Sequence, residues 1–81
     1  MLLNQAKTDQ TYVVLECTAG AKTRHKLETL GLVPGGECQV ISNNGAGLIL
    51  DVRSSRLAIG PALAEMIIVE PIWTSVDNST R

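Results

Sequence analysis

Phenylalanine is absent from this 81-residue chain, and the other large aromatics occur once each, as Tyr12 and Trp73. Its interior is therefore aliphatic, drawn from Val, Leu, Ile and Ala. Two rings cannot line a groove for proline-rich peptides, so that class of binding module is set aside. Two cysteines, Cys17 and Cys38, are too few and too far apart for a zinc motif; they read as reduced thiols packed like small apolar groups. With one histidine, His25, no paired carboxylates in a motif and no nucleophile elbow, the chain reads as a non-enzyme. Asn44-Gly45-Ala46-Gly47 is rich in glycine but lacks the Gly-Lys-Ser/Thr ending and following helix that cradle phosphate. No apolar run approaches the ~18 residues that cross a bilayer, and Met1-Leu2-Leu3-Asn4-Gln5 has no signal-peptide pattern. Direct membrane insertion is not expected, and the cytoplasm is the default location. The formal net charge is −1, from seven Lys plus Arg and eight Asp plus Glu. That balance argues against non-specific nucleic-acid binding, which needs many phosphate-neutralising cations.

What is present is an apolar share of 44%, enough for one compact domain of this length, and a marked local clustering of charge. Lys22, Arg24, His25 and Lys26 fall within five positions. They lie in the first half of a stretch, Ala21 to Leu30, that reads as a helix of about three turns. Cations near a helix N-terminus oppose the dipole at a cost of a few tenths of a kcal/mol each when exposed, so the placement invites a functional explanation. Leu27 and Leu30 share one helical face. Gly31 stands where a helix end takes a left-handed residue, and Pro34 blocks continuation. Pro34-Gly35-Gly36 then makes a turn.

Around this helix the period is that of strands. Tyr12 to Cys17 alternates, with Val13, Leu15 and Cys17 on one face and Tyr12, Val14 and Glu16 on the other. Glu37 to Ser42 alternates next, and Asn43-Asn44-Gly45-Ala46-Gly47 signals a hairpin into Leu48–Arg53. Ser54-Ser55 turns the chain into a short strand, Arg56 to Ile59. Gly60-Pro61 marks the start of one helical turn before Ile67-Ile68-Val69 closes the sheet. The expected fold is mainly β: a small, strongly bent barrel of five to six short strands, with one helix inserted after the first strand and a helical turn before the last. Its expected core is Val13, Leu15, Leu27, Leu30, Val40, Leu50, Val52, Leu57, Ile59, Ala64 and Ile68. One domain spans residues 1–70, and 71–81 form a polar tail.

Lys26-Leu27-Glu28-Thr29-Leu30-Gly31-Leu32-Val33-Pro34-Gly35 resembles the basic-Leu-x-x-Leu-Gly-apolar-x-Pro-Gly segment of the FeoA family, small cytosolic proteins of bacterial ferrous iron transport. Arg56-Leu57-Ala58-Ile59 and Ala64-Glu65-Met66-Ile67-Ile68-Val69 are similar to that family's later strand, alanine-bearing turn and closing strand. The likeness covers roughly residues 12 to 70. It implies an SH3-like barrel, and association with FeoB, a membrane transporter carrying a cytosolic guanine-nucleotide-binding domain. The same barrel recurs as the C-terminal domain of diphtheria-toxin-repressor-like metalloregulators, so fold alone does not set the role.

The residues admit two uses. In the first, Lys22, Arg24, His25 and Lys26, with Leu32 as an apolar centre, form a docking patch for an acidic surface on the transporter; no cofactor and no metal ligand are assigned. The commoner fate of a charge run is simply a solvated face. In the alternative, the chain is an iron- or zinc-binding carrier or sensor, with Cys17 and Cys38 brought together on neighbouring strands beside a third ligand. Oligomeric state has no signature in the sequence.

Overall fold

The computed structural model describes residues 1–72, and the elements run in the expected order. After a 3-10 turn at Leu3–Gln5 come β1 (Thr11–Cys17), α1 (Ala21–Thr29), β2 (Glu37–Asn43), β3 (Leu48–Val52), β4 (Ser55–Ile59), a short α2 (Pro61–Ala64) and β5 (Ile67–Pro71). The strands make one antiparallel sheet in the order β4-β3-β2-β1-β5. Proline at the start of α2 and an extended Gly60 before it are the expected entry to that turn. Residues 73–81, most of the expected tail and Trp73 with it, lie outside the described residues. The domain runs past the expected boundary at residue 70: β5 reaches Pro71, and Ile72 N–H donates to Thr11 O at 3.1 Å.

Two bulges bend the sheet around its core. On β1 the register against β5 steps from Val14–Val69 to Glu16–Ile68, leaving Leu15 as the extra residue. On β2 the step from Val40–Leu50 to Ser42–Ile49 leaves Ile41 unpaired against β3. A bulge adds a residue to one strand, kinks it and reverses the facing of every residue beyond it. This overturns the expected phase of β1. Tyr12 and Val14 are buried, whereas Leu15 is 47% exposed and Val13 only partly covered; beyond the bulge Cys17 packs against the core. The closing strand is also one residue out of the expected phase, with Ile67 and Val69 inside and Ile68 half-buried.

Leu48, Leu50 and Val52 alternate inward as expected, and Val40, Ile59 and Ala64 complete that side of the core. Leu57 is partly buried against it. The N-terminal segment contributes Leu3 and Ala6, which an irregular turn hid from any periodic reading. Asn43 ties it down: its Nδ2 donates to Asn4 O at 3.1 Å and Ala6 O at 2.8 Å. Tyr12 Oη accepts from Lys7 N–H at 2.8 Å, so its buried hydroxyl is satisfied. Met1 and Leu2 run along the outer edge of β5, where Val69 N–H donates to Met1 O at 2.7 Å and Leu2 bridges Ile68. Among the described residues no helix is long and apolar enough to cross a membrane.

Candidate functional site

Nine residues, no side-chain cap at Gly20 and no acidic residue in the first turn make α1 a weak helix on its own account. It is held by its end. Leu32 N–H donates to Leu27 O at 2.9 Å and Gly31 N–H to Glu28 O at 3.0 Å, the paired bonds of a Schellman stop with Gly31 at φ 101°. That motif places the residue after the glycine against the last inward residue of the helix. Leu27 (3% exposed) and Leu32 (4% exposed) accordingly lie together in the core. Val33 to Gly36 then forms a type II turn, with Pro34 second and Gly35 third at φ 87°, closed by Gly36 N–H to Val33 O at 2.8 Å. Gly35 N–H donates to Val14 O and Val14 N–H to Gly36 O, fixing this exit to the middle of β1.

Leu27 is the only residue of α1 that is buried. Lys22, Arg24, His25 and Lys26 are all exposed. Among the described residues no ion pair engages Lys22, Arg24 or Lys26; the one close approach is His25 Nδ1 to Glu28 Oε1 at 4.0 Å, on the surface. Leu32 does not belong to the patch. It was expected at the partner face, and the Schellman geometry puts it inside instead. Leu30, expected in the core, is 42% exposed because it caps the helix as the chain turns away. Lys22, Lys26 and Leu30 are spaced four apart, so they form one line along the helix flank. The spacing was visible in the sequence, but a leucine beside Leu27 reads first as core. Two further apolar side chains are exposed: Met66, whose carbonyl accepts from Thr18 N–H at 2.7 Å shortly before the entry to α1, and Leu15 at the bulge of β1.

The thiols are not brought together. Cys38 stands opposite Tyr12 and Cys17 opposite Ile67, five residues further along β1, which at about 3.3 Å per residue is on the order of 15 Å. Among the described residues no group of three or more His, Cys, Asp and Glu could hold a metal ion, and the Cys17–Cys38 pairing expected for the carrier or sensor reading is corrected on that geometry. Cys38 is buried, and desolvation pushes its thiol from 9.0 up to about 11. The unfolded chain therefore releases this proton at lower pH than the folded one. Stability that is complete below pH 9.0 is expected to fall as pH rises towards about 11, by on the order of 2 kcal/mol. Denaturant titrations at neutral and alkaline pH check this: the extra alkaline loss should vanish in Cys38→Ala.

Comparison with known proteins sets this geometry in a family. Residues 1–71 match the model of the FeoA domain. A putative Fe(2+) transport protein A of Methanocaldococcus jannaschii is 32% identical over 65 residues, covering 80% of this chain and 79% of that protein. The crystal structure of an iron uptake regulatory protein, FeoA, superposes with a TM-score of 0.82 at 30% identity, over 89% of this chain and 97% of that one. A structure of ScaR with bound Zn2+ shares the fold, with a TM-score of 0.79 at 22% identity, over 89% of this chain and 37% of that longer one.

Proposed function

The chain belongs to the FeoA family of ferrous iron transport proteins, and from that premise we propose that it is a non-enzymatic accessory protein acting at the cytoplasmic side on a FeoB-type transporter. It acts by contact. The line Lys22–Lys26–Leu30, with His25 and Arg24 beside it, meets a surface that is acidic around an apolar recess. The observation that carries this reading is a helix with one inward residue and three cations that no described carboxylate engages. Long-range attraction between such surfaces steers encounter and fixes orientation, while Leu30 gives the contact an apolar centre that water leaves on docking.

Reversing both lysines, Lys22→Glu with Lys26→Glu, tests the reading. Binding of the transporter's cytosolic domain, measured by calorimetry, is expected to weaken at least about tenfold at low salt, with a smaller difference at high salt. Stability should change little, since exposed substitutions usually fall within about 0.5 kcal/mol. Lys7→Glu, exposed on the N-terminal segment rather than on α1, is the control and should bind as the native chain does. Undiminished binding by the lysine double variant would remove the patch from the account.

A further inference from the structure

The sheet has one open edge. At the β3–β4 turn Arg53 and Ser54 both take positive φ, 52° and 67°, the two-residue turn whose flanking pair, Val52 and Ser55, exchanges both of its hydrogen bonds. Bonded and non-bonded pairs alternate from there, so Leu50–Leu57 and Leu48–Ile59 are bonded while Asp51–Arg56 and Ile49–Ala58 are not. Arg56 and Ala58 therefore aim their N–H and C=O groups away from β3. Both residues are exposed, and among the described residues neither has a backbone partner. The opposite edge is different, because Met1 and Leu2 already cover β5.

We propose that β4 pairs antiparallel with β4 of a second copy of this chain, about a two-fold axis through Leu57. This register sets Arg56 opposite the copy's Ala58, and Ala58 opposite its Arg56, giving about four backbone hydrogen bonds. Leu57, left partly exposed in the single chain, meets its own copy across the axis in a non-bonded pair, where side chains approach most closely. The neighbouring registers are poorer. Centring on Arg56 puts two guanidinium groups directly opposite each other. Centring on Ala58 requires Gly60, whose carbonyl already accepts from Ala64 N–H at 3.0 Å. In the favoured register the copy's Arg56 stem lies over Ala58, beside a shallow cleft of about 280 Å³ whose lining includes Ile49, Ala58 and Gly47. Row by row the outer face then runs Ser42–Ile49–Ala58 and on into Arg56–Asp51–Gln39 of the copy, with no like charges opposed.

Sedimentation equilibrium of the intact chain tests this, from roughly 10 µM to 1 mM, the range for a small interface. The weight-average mass should climb from 8.6 kDa towards twice that value. Ala58→Pro removes an N–H that the single chain does not use, on an edge where proline is tolerated, and should weaken the dimer at least about tenfold. Ala58→Lys opposes the copy's Arg56 and should also weaken it, whereas Ala58→Glu should tighten it roughly threefold or more. This pair decides the matter even if the proline variant fails to fold. A mass fixed at 8.6 kDa throughout, or self-association indifferent to the sign of the charge at residue 58, overturns the proposal. So does a constant mass in which Ala58→Pro instead impairs binding to the transporter's cytosolic domain, which would give the edge to a transporter strand.

Discussion

Leu27→Ala is expected to lower stability by about 2–5 kcal/mol, the range for emptying a buried leucine site, and to do more than leave a cavity. Leu27 is the sole inward residue of α1, and its carbonyl accepts the Leu32 N–H that closes the helix. Without that side chain, a nine-residue helix lacking a capping side chain has only its flanking anchors, Ala19 and Leu32, to hold it against the sheet. The Ala variant should therefore show two separable losses: a lower denaturation midpoint, and faster amide exchange through Ala21–Thr29 than through β2 and β3. Leu50→Ala is the comparison. It empties the centre of the sheet, so it should cost a similar amount while raising exchange broadly rather than in the helix. Since small domains hold only about 5–15 kcal/mol in total, either loss is a large share.

Gly31→Ala is the second large effect, about 3 kcal/mol. Two terms contribute. At φ 101° an L side chain is strained, a cost of roughly 1–3 kcal/mol. A Cβ there would also stand 3.0 Å from Val52 Cγ1, a buried core atom with little room to move. Gly35 separates the terms, because its φ is 87° and a Cβ would meet nothing within 4 Å. Gly35→Ala should therefore show the backbone term alone, at about 1 kcal/mol, and the difference between the two variants measures the collision with Val52. Equal losses in thermal or chemical denaturation would mean that Gly31 is required for its dihedral angle only.

Gly31 and Gly35 also belong to the part of the fold that is legible in the sequence. The helix, its glycine stop and the turn at Pro34 were legible because they depend on local backbone chemistry, which Gly31, Pro34 and Gly35 carry wherever they stand. The phase of β3 was legible from Asp51 and Arg53, whose charges flank Val52 and leave Leu48, Leu50 and Val52 together on the other face. The facing of β1 was not legible. Its apolar residues run consecutively from Tyr12 to Leu15, and only pairing with β5 decides where the bulge at Leu15 falls. Leu30 and Leu32 exchanged their expected places for a related reason. A helical wheel extended through Leu30 points it inward, but the chain leaves the helix there, and the hydrogen bonds of the stop pull Leu32 onto Leu27 instead. The cations of the candidate site were visible as a cluster, and so was the spacing that puts Leu30 in line with Lys22 and Lys26; their lack of carboxylate partners among the described residues, and the exposure of Leu30, needed the fold.

Little of α1 is used by the domain itself. The sheet, the N-terminal segment and the helix exit supply nearly all of the core, so the outer surface of α1 is free to vary in charge without disturbing the fold. That separation lets surface variants report on docking and core variants on stability, with little mixing between them.

Amide hydrogen exchange of the native chain, alone and with the transporter's cytosolic domain, tests most directly whether α1 is the contact element. Protection on binding should concentrate in Ala21–Thr29 and the adjoining Leu30–Gly31, and should be absent when Lys22 and Lys26 are both replaced by Glu. Protection confined to β3 and β4, with the helix exchanging as it does in the free protein, would contradict the account.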